Sequence, residues 1–210
     1  IIKHVCMKPE IEERLLGMDN IIQALNNNIQ LLEYISFNLH KESFNLFNNI
    51  GLVWIWQNLM ANQIIEFYKL IVVNEKFSFR KTLNLSQGLK ENIDFKSLDS
   101  MILDLNNDYD IHKFEIVRSK YLAHQDLKNE EVKTDIVTIR KFTDKIISTF
   151  TFLAKEFNWK HSDLNNIVEN SFNEIFDKIR EYEKMGAYLF VAELKGEKTV
   201  EIESLSKSIK

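Results

Sequence analysis

The sequence predicts an all-α fold, and three observations carry that prediction. Only one proline and five glycines punctuate 210 residues, too few for the turns of a β-sandwich or a doubly wound sheet. Apolar residues recur at three- and four-residue spacing over long stretches, the signature of amphipathic helices. With 45% hydrophobic, 28% charged and 11% aromatic residues, the chain has an ordinary globular composition and can bury one sizeable core.

The elements follow in order. From Glu10 to about Phe37, Ile11, Leu15, Met18, Ile22, Leu25, Ile29 and Leu32 form one apolar stripe behind Pro9, a good helix-entry residue. A second pattern from about Ser43 to Val73 is apolar around most of its circumference, so it is expected to be the central, most buried helix. Next, "FSFRKTLNLSQGLKENIDF" predicts a short helix broken near Gly88, and "SLDSMILDLNND" another ended by Asn106, Asn107 and Asp108. A helix from Ile111 to about Ala123 precedes a turn at "QDLKNEE", which places His124 near a helix end. Val132, Ile136, Ile139, Phe142, Ile146, Phe150 and Leu153 stripe a helix from Glu130 to Phe157. Ser162 with Asp163 is expected to cap a last helix reaching Tyr182. The tail then changes to a two-residue period in "TVEIESL" and reads as a small C-terminal β-hairpin around Gly196, with a frayed extension as the alternative.

Charge and cysteine content narrow the function classes. A formal net charge of -4 argues against a uniformly positive surface that binds nucleic acid everywhere, so any RNA recognition has to be local. The window from Ile111 to Lys128 reverses the balance, with Lys113, Arg118, Lys120 and Lys128 against Glu115 and Asp126. The single cysteine, Cys6, excludes an internal disulfide framework and a Cys-rich zinc site, and fits a reducing cytoplasmic setting. The charged first ten residues do not form a signal-peptide core. Gln57, Asn58, Asn62, Gln63, Glu66 and Lys69 interrupt the most apolar window, so no membrane span is expected. His4, His40 and His161 have no acidic or Cys partner at ligand spacing, and neither a metal site nor a cofactor is expected.

The chemistry concentrates in "IVRSKYLAHQD", where Arg118 and His124 stand six residues apart. On one straight helix that spacing turns the two side chains about 120° apart. They meet at one phosphate only if the helix ends or distorts between them, or if Arg118 uses its length to swing round. An arginine and a histidine suffice for cleaving RNA by its own 2'-hydroxyl. Imidazole titrates near neutral pH and can move the protons, and a guanidinium can hold the phosphate and the charge that grows on it.

The fuller string "RSKYLAHQD" resembles the HEPN superfamily, in particular its abortive-infection AbiU-type branch. The likeness spans roughly Phe44 to Phe157 and includes the aromatic-rich "WIWQNLMANQIIEFYKLI". It implies a HEPN-like helical domain over 1–187 with its motif core at 44–157, and a C-terminal extension at 188–210. It further implies a metal-independent endoribonuclease of a toxin or phage-defence system, acting on tRNA or mRNA. Two protomers would pair so that their Arg-His motifs face a common cleft, and an antitoxin partner would be expected. Arg118 and His124 become the catalytic pair. Ser119 departs from the Asn, Asp or His usual after the arginine, although its hydroxyl can still donate to a phosphate.

The neighbouring residues keep two readings each. Lys120 is a backbone contact or a solvated surface lysine. Tyr121 stacks on a base or packs in the core or the dimer seam. Asp126 caps the next turn or orients His124 or Arg118. Glu115 is expected to form a helical ion pair with Arg118, and His112 lines the same cleft or is exposed. Two rivals stand beside the nuclease: a catalytically silent HEPN-like module that binds RNA, nucleotide or protein, and a helical interaction domain whose Arg-His pair is coincidental.

Overall fold

In the computed structural model, described residues are 7–39, 50–119, 135–162, 164 and 181. They form six helices and no strand: α1 (Pro9–Leu39), α2 (Ile50–Ile71), α3 (Phe79–Gly88), α4 (Phe95–Ile111), α5 (Phe114–Arg118) and α6 (Ile136–Glu156). The all-α prediction therefore stands across these residues. The C-terminal hairpin and the helix expected after Ser162 lie outside them.

Pro9 opens α1, and the Lys8 carbonyl accepts the first amide bonds from Ile11 and Glu12. Every residue of the predicted stripe is buried, joined by Ile21 and Ile35. α1 packs against α2, α3 and α6, which makes it the spine of the bundle. This corrects the expectation that the aromatic-rich helix is the most buried. α2 buries Gln63, Ile64, Phe67, Leu70 and Ile71, but Trp54 is 63% exposed and Gln57, Asn58 and Asn62 face outward. Apart from the buried Gln63, its polar residues are exposed or half-buried, so the helix is amphipathic despite its apolar composition.

The later boundaries are set by capping. α3 begins at Ser78, whose side chain accepts from the Lys81 amide, and ends at Gly88 where the sequence places the break. α4 begins at Asp94, whose carboxylate accepts from both the amide and the hydroxyl of Ser97. It runs through Asn106, Asn107 and Asp108 instead of stopping there. Lys145 of α6 reaches Asp104 at 2.9 Å and Asp108 at 2.5 Å, one helical turn apart, and so holds that last stretch of α4 against α6. α6 starts at Asp135, which caps Thr138, five residues after the expected Glu130. Its C-terminus turns at Asn158, a left-handed position with φ of 52°, a conformation asparagine tolerates better than most residues.

Four aromatic rings fill the centre where α2, α4, α5 and α6 converge. Phe67 meets Phe142 edge-on at 4.8 Å and Phe114 at 5.4 Å, while Phe114 and Phe142 are 4.9 Å apart. Tyr109 closes the cluster 5.7 Å from Phe114. This cluster fixes α5, a helix too short to hold itself by hydrogen bonding alone.

Candidate functional site

Arg118 owes its place to the break that precedes α5. α4 ends at Ile111, His112 caps it, and Lys113 turns into the left-handed region with φ of 51° and ψ of 36°. The expected continuous helix from Ile111 to Ala123 is thereby replaced by a turn and a fresh start at Phe114. Phe114 and Val117, three residues apart, are buried and point α5 at the core. Arg118 then emerges at the end of the turn, half-buried and facing α2.

Tyr68 receives it there. Phe67 faces the aromatic core, and the next residue along an α-helix is rotated by about 100°, which carries the Tyr68 ring round to α5. The Arg118 guanidinium carbon lies 3.6 Å from the centroid of that ring, a cation–π stack in which the planar cation covers the aromatic face. The ion pair expected between Glu115 and Arg118 is not among those of the described residues. Nor does any hydrogen bond engage the Arg118 N–H groups among them. The aromatic face outcompetes a solvent-exposed carboxylate, which gains little from pairing in water.

Tyr109 stands beside this pair. Its side chain is 3% exposed, and its hydroxyl has no partner among the described residues. Burial pushes the phenol well above its ordinary range, the Glu115 charge raises it further, and the Arg118 charge acts in the opposite sense. His112 is half-buried with its ring 5.6 Å from Phe114, so it lies close to the α4–α5 turn. Ser119 is exposed, and its hydroxyl donates to the Ile116 carbonyl at 3.1 Å. That bond engages the proton with which the serine was expected to meet a phosphate.

His124, Lys120, Tyr121 and Asp126 lie outside the described residues. The structure thus brings Arg118 onto Tyr68, with Tyr109 near enough to feel the Arg118 charge, and the sequence reading passed over both tyrosines. Tyr109 sits in "LNNDYD", read there as a helix end. Tyr68 was legible only as an off-core position of an aromatic helix.

Chemically, a half-buried guanidinium held by one face keeps its in-plane N–H edges for a planar oxyanion. Two parallel N–H···O bonds to a phosphate or carboxylate fit that geometry. Among the described residues no cluster of three or more His, Cys, Asp or Glu side chains is placed to hold a metal ion. No helix among them is long and apolar enough to cross a membrane.

Fold and site together define an all-α protein with an aromatic-stacked arginine at a helix break. No protein-family model matches the chain, and no curated protein or solved structure matches it either.

Proposed function

We propose that the protein is a metal-independent endoribonuclease of the HEPN type, acting in a cytoplasmic toxin or phage-defence setting through Arg118 and His124. The observation that carries the reading is the string "RSKYLAHQD", together with a stacked Arg118 whose N–H edges are unengaged among the described residues. In this mechanism one imidazole takes the proton of the 2'-hydroxyl, and the 2'-oxygen attacks the adjacent phosphorus. The bond to the 5'-oxygen breaks, and that oxygen gains a proton from a second imidazole. Arg118 stabilises the extra negative charge on the phosphoryl oxygens. The products are a 2',3'-cyclic phosphate and a 5'-hydroxyl, and the two histidines come from two copies of the chain at a shared cleft.

A second reading is favoured by Ser119, whose hydroxyl is bonded to Ile116, and by the net charge of -4. It is a catalytically inactive HEPN-like module that grips RNA, nucleotide or a protein partner. Incubation with tRNA and mRNA in EDTA, beside Arg118→Ala and His124→Ala, separates the two. Cyclic-phosphate ends that disappear in either variant support the nuclease, and binding without cleavage supports the module. A monomer indifferent to RNA overturns the nuclease and the RNA-binding form of the module.

A further inference from the structure

We infer that Tyr68 is the positioning residue of the site: it clamps the Arg118 guanidinium by its face so that the edges are presented to an RNA phosphate. The inference rests on the RNA-directed reading of Arg118 but not on cleavage.

Three observations support it. The guanidinium carbon is 3.6 Å from the Tyr68 ring centroid, close enough for a full stack rather than a passing contact. The turn of α2 that carries Tyr68 is held, since Phe67 beside it packs between Phe114 and Phe142. The ordinary alternatives for an arginine are unused: Glu115, one turn earlier, does not pair with it, and no hydrogen bond restrains its N–H groups among the described residues. A long side chain fixed only by its face keeps its donors free while losing rotamer freedom before the phosphate arrives. Such preorganisation strengthens binding by lowering the ordering cost.

The test measures affinity for a 2'-O-methyl RNA oligonucleotide, which cannot be cleaved through its 2'-oxygen, by fluorescence anisotropy. The proteins are wild type, Tyr68→Phe, Tyr68→Leu, Arg118→Ala and the Tyr68→Leu/Arg118→Ala pair. A cation–π contact at a half-buried site predicts a loss of roughly 3- to 30-fold in Tyr68→Leu and less than about 2-fold in Tyr68→Phe, which keeps the ring. In the Arg118→Ala background Tyr68→Leu should add nothing, because its effect runs through the guanidinium. The upfield ring-current shift of the Arg118 side-chain protons should vanish in Tyr68→Leu and persist in Tyr68→Phe.

An unchanged affinity in Tyr68→Leu overturns the inference, as does an equal loss in the Arg118→Ala background. Wild-type cleavage to cyclic-phosphate ends would then leave the nuclease reading standing. Conversely, a coupled loss of affinity in a protein that never cleaves RNA upholds the clamp and ends the nuclease reading. A wild type that binds no oligonucleotide ends the inference outright.

Discussion

Gln63 of α2 donates its side-chain amide to the Thr143 hydroxyl of α6 at 2.9 Å, inside the core and in reach of the α1 backbone. The same nitrogen lies 3.2 Å from the Leu25 carbonyl, and Thr143 passes its own proton to the Ile139 carbonyl at 2.8 Å. One fully buried amide thus ties three helices together, while its carbonyl oxygen has no partner among the described residues.

Removing one end of that link should cost more than removing both. Thr143→Val strands a buried N–H and is expected to destabilise by about 1–3 kcal/mol, whereas Gln63→Met with Thr143→Val replaces both partners by apolar groups and should recover most of the loss. Urea unfolding of the four-member cycle measures the coupling. Additive losses would show that the bond contributes nothing specific.

Gly17 meets Phe77 in the same spirit. A Cβ at Gly17 would overlap the Phe77 ring, although a helix interior normally gains about 1 kcal/mol from Gly→Ala. Gly17→Ala is therefore expected to lower the melting temperature in the wild type and to raise it in a Phe77→Ala background. The change of sign is the diagnostic, and thermal melts by circular dichroism reveal it.

Tyr109 predicts an alkaline limit. Its phenol is raised in the fold, chiefly by burial and next by Glu115, so the folded state holds its proton where the unfolded state releases it. The stability it contributes is complete below the unfolded pKa of about 10 and is lost as pH rises beyond that value. Tyr109→Phe should flatten the fall in stability above about pH 10. Because the lost hydroxyl has no partner among the described residues, the cost at neutral pH should stay below about 1 kcal/mol. Urea midpoints at pH 7 and in the alkaline range test both halves.

Asp135 predicts the opposite limit. The Thr138 backbone amide bonded to its carboxylate holds it below the usual range, so its contribution is present above the unfolded pKa and is lost as pH falls through the folded one. Asp135→Ala should cost about 1 kcal/mol at pH 7, and Asp135→Asn much less, since Asn caps nearly as well. The gap between aspartate and asparagine should close in acid, which a pH series of melts would display.

Much of the scaffold was legible in the residues. The stripe from Ile11 to Leu32, the proline at the entry of α1 and the break at Gly88 are local features, and the fold keeps them as written. Boundaries failed where a long-range contact or a cap overrode composition. Asn106 to Asp108 look like a helix end, yet Lys145 on a distant helix engages Asp108 and Asp104. Val132 extends the apolar stripe backwards, yet the α6 helix starts at the Asp135 cap.

The sequence by itself determined the helical class, the apolar stripes of α1 and α6 and the candidacy of Arg118, because periodicity and side-chain chemistry are properties of neighbours along the chain. Only the tertiary structure decided which helix is the spine, that Lys113 breaks the chain ahead of α5, and that Tyr68 lies under Arg118. Those outcomes depend on how α2, α4, α5 and α6 share one aromatic core. The direction in which a side chain leaves that core is set by packing between segments far apart in sequence, which no local pattern encodes.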